Sequence, residues 1–307
     1  MAVYEYAEKF NRKLQDKYAV ELKSNFLVHT NPSVKFVDAQ TIRVPDFTTT
    51  GYYDHTRTSV GGFQTGAAAN KWDLYKLEWD RSVEFPIDPM DVDETNLTVS
   101  MANYQNKFEE EHAIPEKDSY RFSKLYKEAK AKGVTIDNEA LTTANILAKF
   151  DAYMEAMDEA GVKSGRKLVV TNPVYTMLKQ AEGIQRVLEA SSPKKIDRRV
   201  YSLEDVEIIK VPSLRLKTNY VDKEVTLSNG AKGQNYVPAD DAKQINMILV
   251  DPTAIICEDK YSYIKLFTPG HDSRTADNYL YQNRYYSDLF VIEAKNAGVI
   301  INAEAEA

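Results

Sequence analysis

The stretch GGFQTGAAANKW (61–72) puts three glycines into six residues, a composition that can wrap a phosphate. A phosphate loop needs G-x-x-x-x-G-K-[ST] between a strand and a helix, so that backbone N–H groups converge on the anion. Here no Lys-Ser/Thr pair stands at that spacing, and the residues that follow alternate like a strand. No G-x-G-x-x-G occurs elsewhere. His29, His55, His112 and His271 are scattered, and no H-E-x-x-H places two of them on one helix face. FEEEHAIPEKD (108–118) gathers carboxylates around a histidine and reads as a solvated helix end. DPMDVDETN (88–96) brings Asp88, Asp91, Asp93 and Glu94 close together, but at a spacing unlike an EF-hand loop, so it reads as a surface turn. Without G-x-S-x-G there is no anchor for a serine nucleophile. Cys257 lies in the apolar run AIICE and reads as an inert buried thiol. The residues point to no catalytic, cofactor-binding or metal-binding site and to a protein that is not an enzyme. The acidic turn at 88–94 is the place a metal-dependent enzyme would have to use.

Composition narrows the classes further. The chain has 307 residues, 43% hydrophobic and 28% charged, normal for a globular protein. The charge is −7, from 39 basic and 46 acidic residues, and the densest basic run is PKKIDRR (193–199). A dedicated nucleic-acid binder would carry a basic stripe; an acidic surface leaves nearby DNA mobile. A single cysteine cannot form an internal disulfide, which fits a reducing cytosol. The N-terminus shows no signal-peptide core, and no run of about 18 apolar residues could span a membrane. The 20 tyrosines against 2 tryptophans suit half-dry contact surfaces.

Periodicity then supplies the elements. Tyr6, Phe10, Leu14, Tyr18 and Leu22 predict a helix over 3–23 with a narrow apolar stripe. VKFVDAQTIRVP (34–45) reads as two short strands around Asp38-Ala39-Gln40, the second ended by Pro45. Residues 46–70 have no period. From 71 to 87 Tyr75, Leu77, Trp79, Val83, Phe85 and Ile87 share one parity, broken only by Arg81. That predicts one strand of about 50 Å at ~3.3 Å per residue, the descending arm of an extended β-hairpin. Helices are expected over 97–111 and 116–132, with Gly133 after the second, and over 138–160, about 35 Å long, capped by Asp137 or Asn138 and ended by Gly161. Residues 166–274 read as mixed α/β: strands KLVVT, VEIIKVP, INMILVDP, AIICE and YSYIKLF, a helix opened by Asn172-Pro173, and a loop at 228–238. YLYQNRYYSDLFVIEA forms a long C-terminal strand, then KNAG and VII.

The order of these segments resembles a known family. VKFVDAQTIRVPDFTTTGYYDHTRTSVGGFQTGAAANKWDLYKLEWDRSVEFPIDPMDVDETN, IPEKDSYRFSKLYKEA, KLVVTNPVYTMLKQ and NRYYSDLFVIEAKNAGVII look like the major capsid proteins of tailed double-stranded DNA bacteriophages that infect Gram-positive bacteria. The resemblance spans nearly the whole chain and rests on the series of segments, not on one motif. It implies an α+β, Hong Kong 97-like capsid fold: an N-terminal arm (1–41), an extended β-hairpin loop (42–90), a peripheral domain (91–165 and 275–307) with a spine helix at 138–160, and an axial domain (166–274). It also implies self-assembly through hexamers and pentamers into an icosahedral shell, a virion location after assembly in the host cytoplasm, a separate scaffolding protein, a portal, decoration proteins, and packaged DNA contacted weakly and without sequence specificity. Tyr75, Trp79, Arg81 and Phe85 are the expected inter-subunit anchors on the loop. Lys71 and Lys76 lie there too, with no trio identified for a covalent cross-link. An encapsulin-type compartment shares the implied fold and is the nearest alternative.

Overall fold

The computed structural model describes residues 22–28, 35–36, 38, 40–55, 65–90, 101–134, 136–163, 165–181, 202–226, 230–267, 269–270 and 277–305. The chain forms two compact units, Thr30–Trp79 and the remainder. All but the end of the helix expected at 3–23 lies outside the described residues.

The smaller unit is a β-ribbon. Strand β1 (Lys35–Phe36) pairs antiparallel with β2 (Thr41–Thr49), which pairs with β3 (Ala68–Lys76) from Thr41↔Lys76 to Thr49↔Ala68. The first turn forms as expected: Asp38 Oδ1 accepts from the Gln40 and Thr41 amides, both at 2.7 Å. Pro45 does not end its strand. Among the described residues that side of β2 has no partner strand beyond Arg43, and a proline is tolerated where its nitrogen faces an open edge. The ribbon therefore runs longer than expected, and Ala68–Asn70 of the glycine-alanine stretch are strand.

The single strand expected over 71–87 is two. It breaks at Leu77–Glu78, and β4 (Trp79–Ile87) joins a different sheet. The burial alternation runs through the break, since Tyr75, Leu77 and Trp79 are all buried. A period of two reports which face is dry, not which strand lies alongside, so the break leaves no mark in the pattern.

In the larger unit, the helices expected at 97–111 and 116–132 are one continuous run from Met101 onward, residues 97–100 lying outside the described ones. Helix α1 (Met101–Phe108) passes through a π-turn (Glu109–Ala113) into α2 (Ile114–Ala131). Pro115 has no N–H, and its ring crowds the carbonyl four residues back. Widening the preceding turn absorbs both without a break. FEEEHAIPEKD is thus helix interior, not a solvated end. α2 closes in a Schellman motif: Gly133 has φ +76°, its amide donates to Lys130 O (3.2 Å), and Val134 donates to Ala129 O (3.0 Å).

After β5 (Ile136–Asp137), helix α3 covers Ile146–Glu159, not 138–160, and is about 21 Å long. Its start is set by a reciprocal pair: Thr142 N donates to Asn145 Oδ1 (2.7 Å) and Asn145 N to Thr142 Oγ1 (3.3 Å). Leu141 is buried beside α3 without being helical, which is why the helical period reads too far back. Gly161, at φ +70°, ends α3 as expected.

Strand β6 (Lys167–Thr171), helix α4 (Asn172–Gln180), β7 (Ser202–Leu203) and β8 (Val206–Val211) follow, then the two-stranded ribbon β9 (Tyr220–Thr226) and β10 (Lys232–Pro238). β10 occupies the expected loop. β11 (Ile245–Val250) precedes β12 (Ile255–Phe267), which merges two expected strands; β13 (Tyr279–Val291) and β14 (Val299–Ala303) close the chain.

A six-stranded sheet, β5-β14-β11-β6-β8-β7, is the centre of the larger unit. Leu168, Val170, Met247 and Leu249 share a cluster with Phe150 and Met157 of α3 and Val174 and Leu178 of α4. Residues of the opposite parity, Val169, Ile248 and Val250, share one with Phe122, Leu125 and Ala129 of α2. Both sheet faces are covered, so its strands are continuous apolar runs. The second sheet, β12-β13-β4, has a long ladder from Ile255↔Val291 to Phe267↔Leu280. Strands β12 and β13, on either side of the expected 274/275 boundary, pair with each other, and β5 and β14 belong to the six-stranded sheet. Strand partners far apart in sequence cannot be read from contiguous spans.

Gly298 marks the tightest join. A Cβ there would lie 2.9 Å from Ala254 Cβ and 3.4 Å from Asp251 Cβ. Gly298→Ala is expected to cost about 2 kcal/mol, part of it recovered by adding Ala254→Gly. Urea unfolding of the two single variants and the double variant measures this; strictly additive effects would contradict it.

Candidate subunit-contact surfaces

Three of the four expected anchors face inward. Tyr75 and Trp79 are each only 8% exposed. The Phe85 ring packs edge-on to Phe108 at 5.2 Å and stacks with Tyr281 at 6.2 Å. Arg81 is half-buried and fully engaged within its own chain. Its Nε donates to Glu116 Oε1 (2.7 Å), and Nη1 and Nη2 grip Asp222 at 3.0 and 2.8 Å. In the single chain the four side chains do not make an outward patch.

The other face of the ribbon does make one. The register Arg43↔Leu74, Pro45↔Trp72 and Phe47↔Asn70 puts these side chains on one side. Phe47 is 71% exposed, Leu74 67% and Trp72 41%. The Arg43 guanidinium lies 4.6 Å from the Trp72 ring centre, which holds the indole in place. Tyr52 and Tyr53, beyond β2, are exposed as well. The ribbon is thus apolar on both sides: Ile42, Val44 and Tyr75 on the dry one, Phe47, Trp72 and Leu74 on the wet one.

The larger unit is held by a buried ionic knot on α2, which the sequence reading missed. Arg121 Nη2 donates to both carboxylate oxygens of Asp259 in β12 (3.0 and 3.1 Å), and Lys117 Nζ reaches the same group at 2.8 Å. One turn along, the fully buried Asp118 accepts from the backbone amides of Lys23 (3.2 Å) and Ser24 (3.0 Å), from Ser24 Oγ (2.7 Å) and from Arg215 (3.3 Å). Arg121 Nη1 also donates to Ser24 Oγ at 3.2 Å. In sequence the only signal is a charged row, Lys117-Asp118 and Arg121, on a helix whose other row is apolar.

The remaining chemistry is sparse. Cys257 is buried, and burial pushes its thiol up to about 11, which makes it a poor nucleophile at neutral pH. Asp88 accepts from the Met90 amide at 2.9 Å; Asp91, Asp93 and Glu94 lie outside the described residues, as do His29 and His271. Among the described residues no three His, Cys, Asp or Glu side chains are grouped to hold a metal ion.

Asp259 gives the knot a pH dependence. Burial alone would raise its carboxyl, but Arg121 and Lys117 outweigh that and hold it below the usual carboxylate range. A depressed carboxylate contributes stability that is present above the unfolded value of about 3.9 and is lost as pH falls through the folded value. The wild type should therefore lose stability steeply below about pH 4. Asp259→Asn should flatten that fall and cost about 2 kcal/mol at pH 7, because it leaves Arg121 buried without its anion. Thermal melts from pH 2 to 7 would read both, and an unchanged acid limb in the variant would contradict the assignment.

No family model and no curated protein matches the chain. Solved structures do. The capsid of the cyanophage P-SCSP1u matches with a TM-score of 0.62 at 12% identity, over 89% of this chain and 86% of that one. The mature capsid of bacteriophage PhiM1 matches with a TM-score of 0.58 at 11% identity, over 88% and 83%. A structure from Mycobacterium phage Che8 matches with a TM-score of 0.52 at 11% identity, over 90% and 93%. Near-complete coverage in both directions at this identity is agreement in fold, and the fold is α+β and Hong Kong 97-like, that of phage capsid proteins.

Proposed function

We propose that the chain is the major capsid protein of a tailed double-stranded DNA phage, assembling through hexamers and pentamers into the icosahedral shell around the genome. The observation that carries this reading is the likeness to the capsids of the cyanophage P-SCSP1u and of bacteriophage PhiM1, covering 89% and 88% of this chain. In this reading the six-stranded sheet with α3 and α4 is the axial domain. The β12-β13-β4 sheet with α1 and α2 is the peripheral domain, with α1–α2 as its spine helix. The 40–76 ribbon is the extended loop. A scaffolding protein, a portal and decoration proteins are the partners, assembly takes place in the host cytoplasm, and the product is the virion. The net charge of −7 suits packaged DNA that is contacted weakly and stays mobile. The role is structural, without catalysis.

Shell contacts need surface that the free subunit leaves wet, and aromatic anchors carry a disproportionate share of interface energy. The Phe47–Trp72–Leu74 face is that surface on the ribbon, and its partner is a second copy of the chain. Trp72→Glu or Leu74→Glu should abolish closed particles while shifting subunit stability by less than about 0.5 kcal/mol. Tyr75→Ala should instead destabilise the subunit itself by about 3 kcal/mol. Negative-stain microscopy and sedimentation, with and without the scaffolding protein, separate these outcomes. A chain that stays monomeric at high concentration with scaffold present would sink the reading. Shells that co-purify with an enzyme cargo in place of DNA would make it an encapsulin-type compartment.

A further inference from the structure

The β9–β10 ribbon is a sheet of its own, paired from Tyr220↔Pro238 to Thr226↔Lys232 and, among the described residues, with no other strand. A two-stranded hairpin is marginal by itself, so what holds it matters. Its base is firmly fixed. Tyr220 Oη donates to Leu214 O (2.8 Å) and accepts from the Lys217 amide (3.0 Å). Asn219 accepts from Lys127 Nζ (2.9 Å) and donates to Asp241 (3.3 Å), and Ser123 Oγ donates to Thr218 O (2.8 Å).

Outward from that base, contact with the body fades along one face. Tyr220 is buried and stacks on the half-buried Tyr236 at 5.1 Å, Asp222 is held by Arg81, and Glu224 and Gln234 are exposed. Glu224, Lys232 and Gln234 do not pack on the body. They line one side of an open cleft of about 560 Å³ whose other side includes Asp80, Arg81 and Glu116. Arg81 therefore stands where packing ends and the cleft begins. It meets Asp222 with two parallel hydrogen bonds, the geometry that gives a guanidinium–carboxylate pair its directional strength. Glu116, at the start of α2, holds Nε at 2.7 Å and so aims the fork.

We infer that the β9–β10 ribbon is a hinged flap, fixed at residues 217–220 and latched in its closed position by the Arg81–Asp222 pair, with the outer half free to swing over the cleft once that pair opens. Glu116 acts as a positioning residue for the latch. The inference stands on the subunit alone and does not depend on the shell reading.

Hydrogen exchange of the full chain in solution tests it, since local opening is read segment by segment. With Arg81→Met, exchange of 221–226 and 232–237 should rise roughly tenfold or more, while that of β11 (245–250) stays as in the wild type. Asp222→Asn, which leaves Arg81 and Glu116 in place, should raise exchange in the ribbon in the same way. A ribbon whose exchange does not change in Arg81→Met, a rise shared equally by β11, or an Asp222→Asn ribbon as slow as the wild type would each overturn the inference.

Discussion

Arg121 is 1% exposed in the middle of α2, and a guanidinium cannot lose its charge at any ordinary pH. It can be buried only if anions and acceptors are brought to it. The chain brings them from two directions, Asp259 on β12 and Ser24 from the N-terminal segment, while Asp118 binds that segment's backbone amides directly. Removing one partner of such a pair is costly, yet a well-packed apolar replacement of the whole set is often neutral. The knot's main effect is therefore register: it fixes which turn of α2 meets which residue of β12. The opposite row of the helix, Phe122, Leu125 and Ala129, is sealed against the six-stranded sheet. One helix thus sets the spacing between both sheets.

Of the ten large hydrophobic residues exposed among the described positions, Phe47, Tyr52, Tyr53, Trp72 and Leu74 all fall on the small ribbon unit. Soluble monomers rarely concentrate apolar exposure in this way, and such concentration marks a contact surface. A shell built of identical copies needs such a surface, one whose wet face is completed by another copy.

How much of this was legible depended on the length scale of the signal. The ribbon's first turn, both left-handed helix terminators and the strands KLVVT and VEIIKV are local, and each could be read from a few residues. The wet face of the ribbon was also legible. In KWDLYKLEW the apolar residues Trp72 and Leu74 sit on one parity and Tyr75, Leu77 and Trp79 on the other, a sign of a ribbon apolar on both faces, which the reading passed over in favour of the longer run. The break at Leu77–Glu78, the strand at 232–238 and the sheet partners of β5 and β14 depend on residues distant in sequence, and no periodicity encodes them. The continuous α1–α2 run was hidden by Pro115, whose usual effect is to end a helix and which here only widens one turn. The fold itself was legible through the order of segments, which resembles the phage capsid family even where no single motif does.

The central claim is that identical copies close into a shell through the wet face of the ribbon, with the opposite parity turned into each copy's own interior. A cryo-electron microscopy reconstruction of assembled particles tests it most directly. The account predicts icosahedral shells in which Phe47, Trp72 and Leu74 are buried against a neighbouring copy while Tyr75, Phe85 and Arg81 keep their partners within the chain. Shells in which Trp72 and Leu74 face solvent and Tyr75 or Arg81 crosses to a neighbour would contradict it.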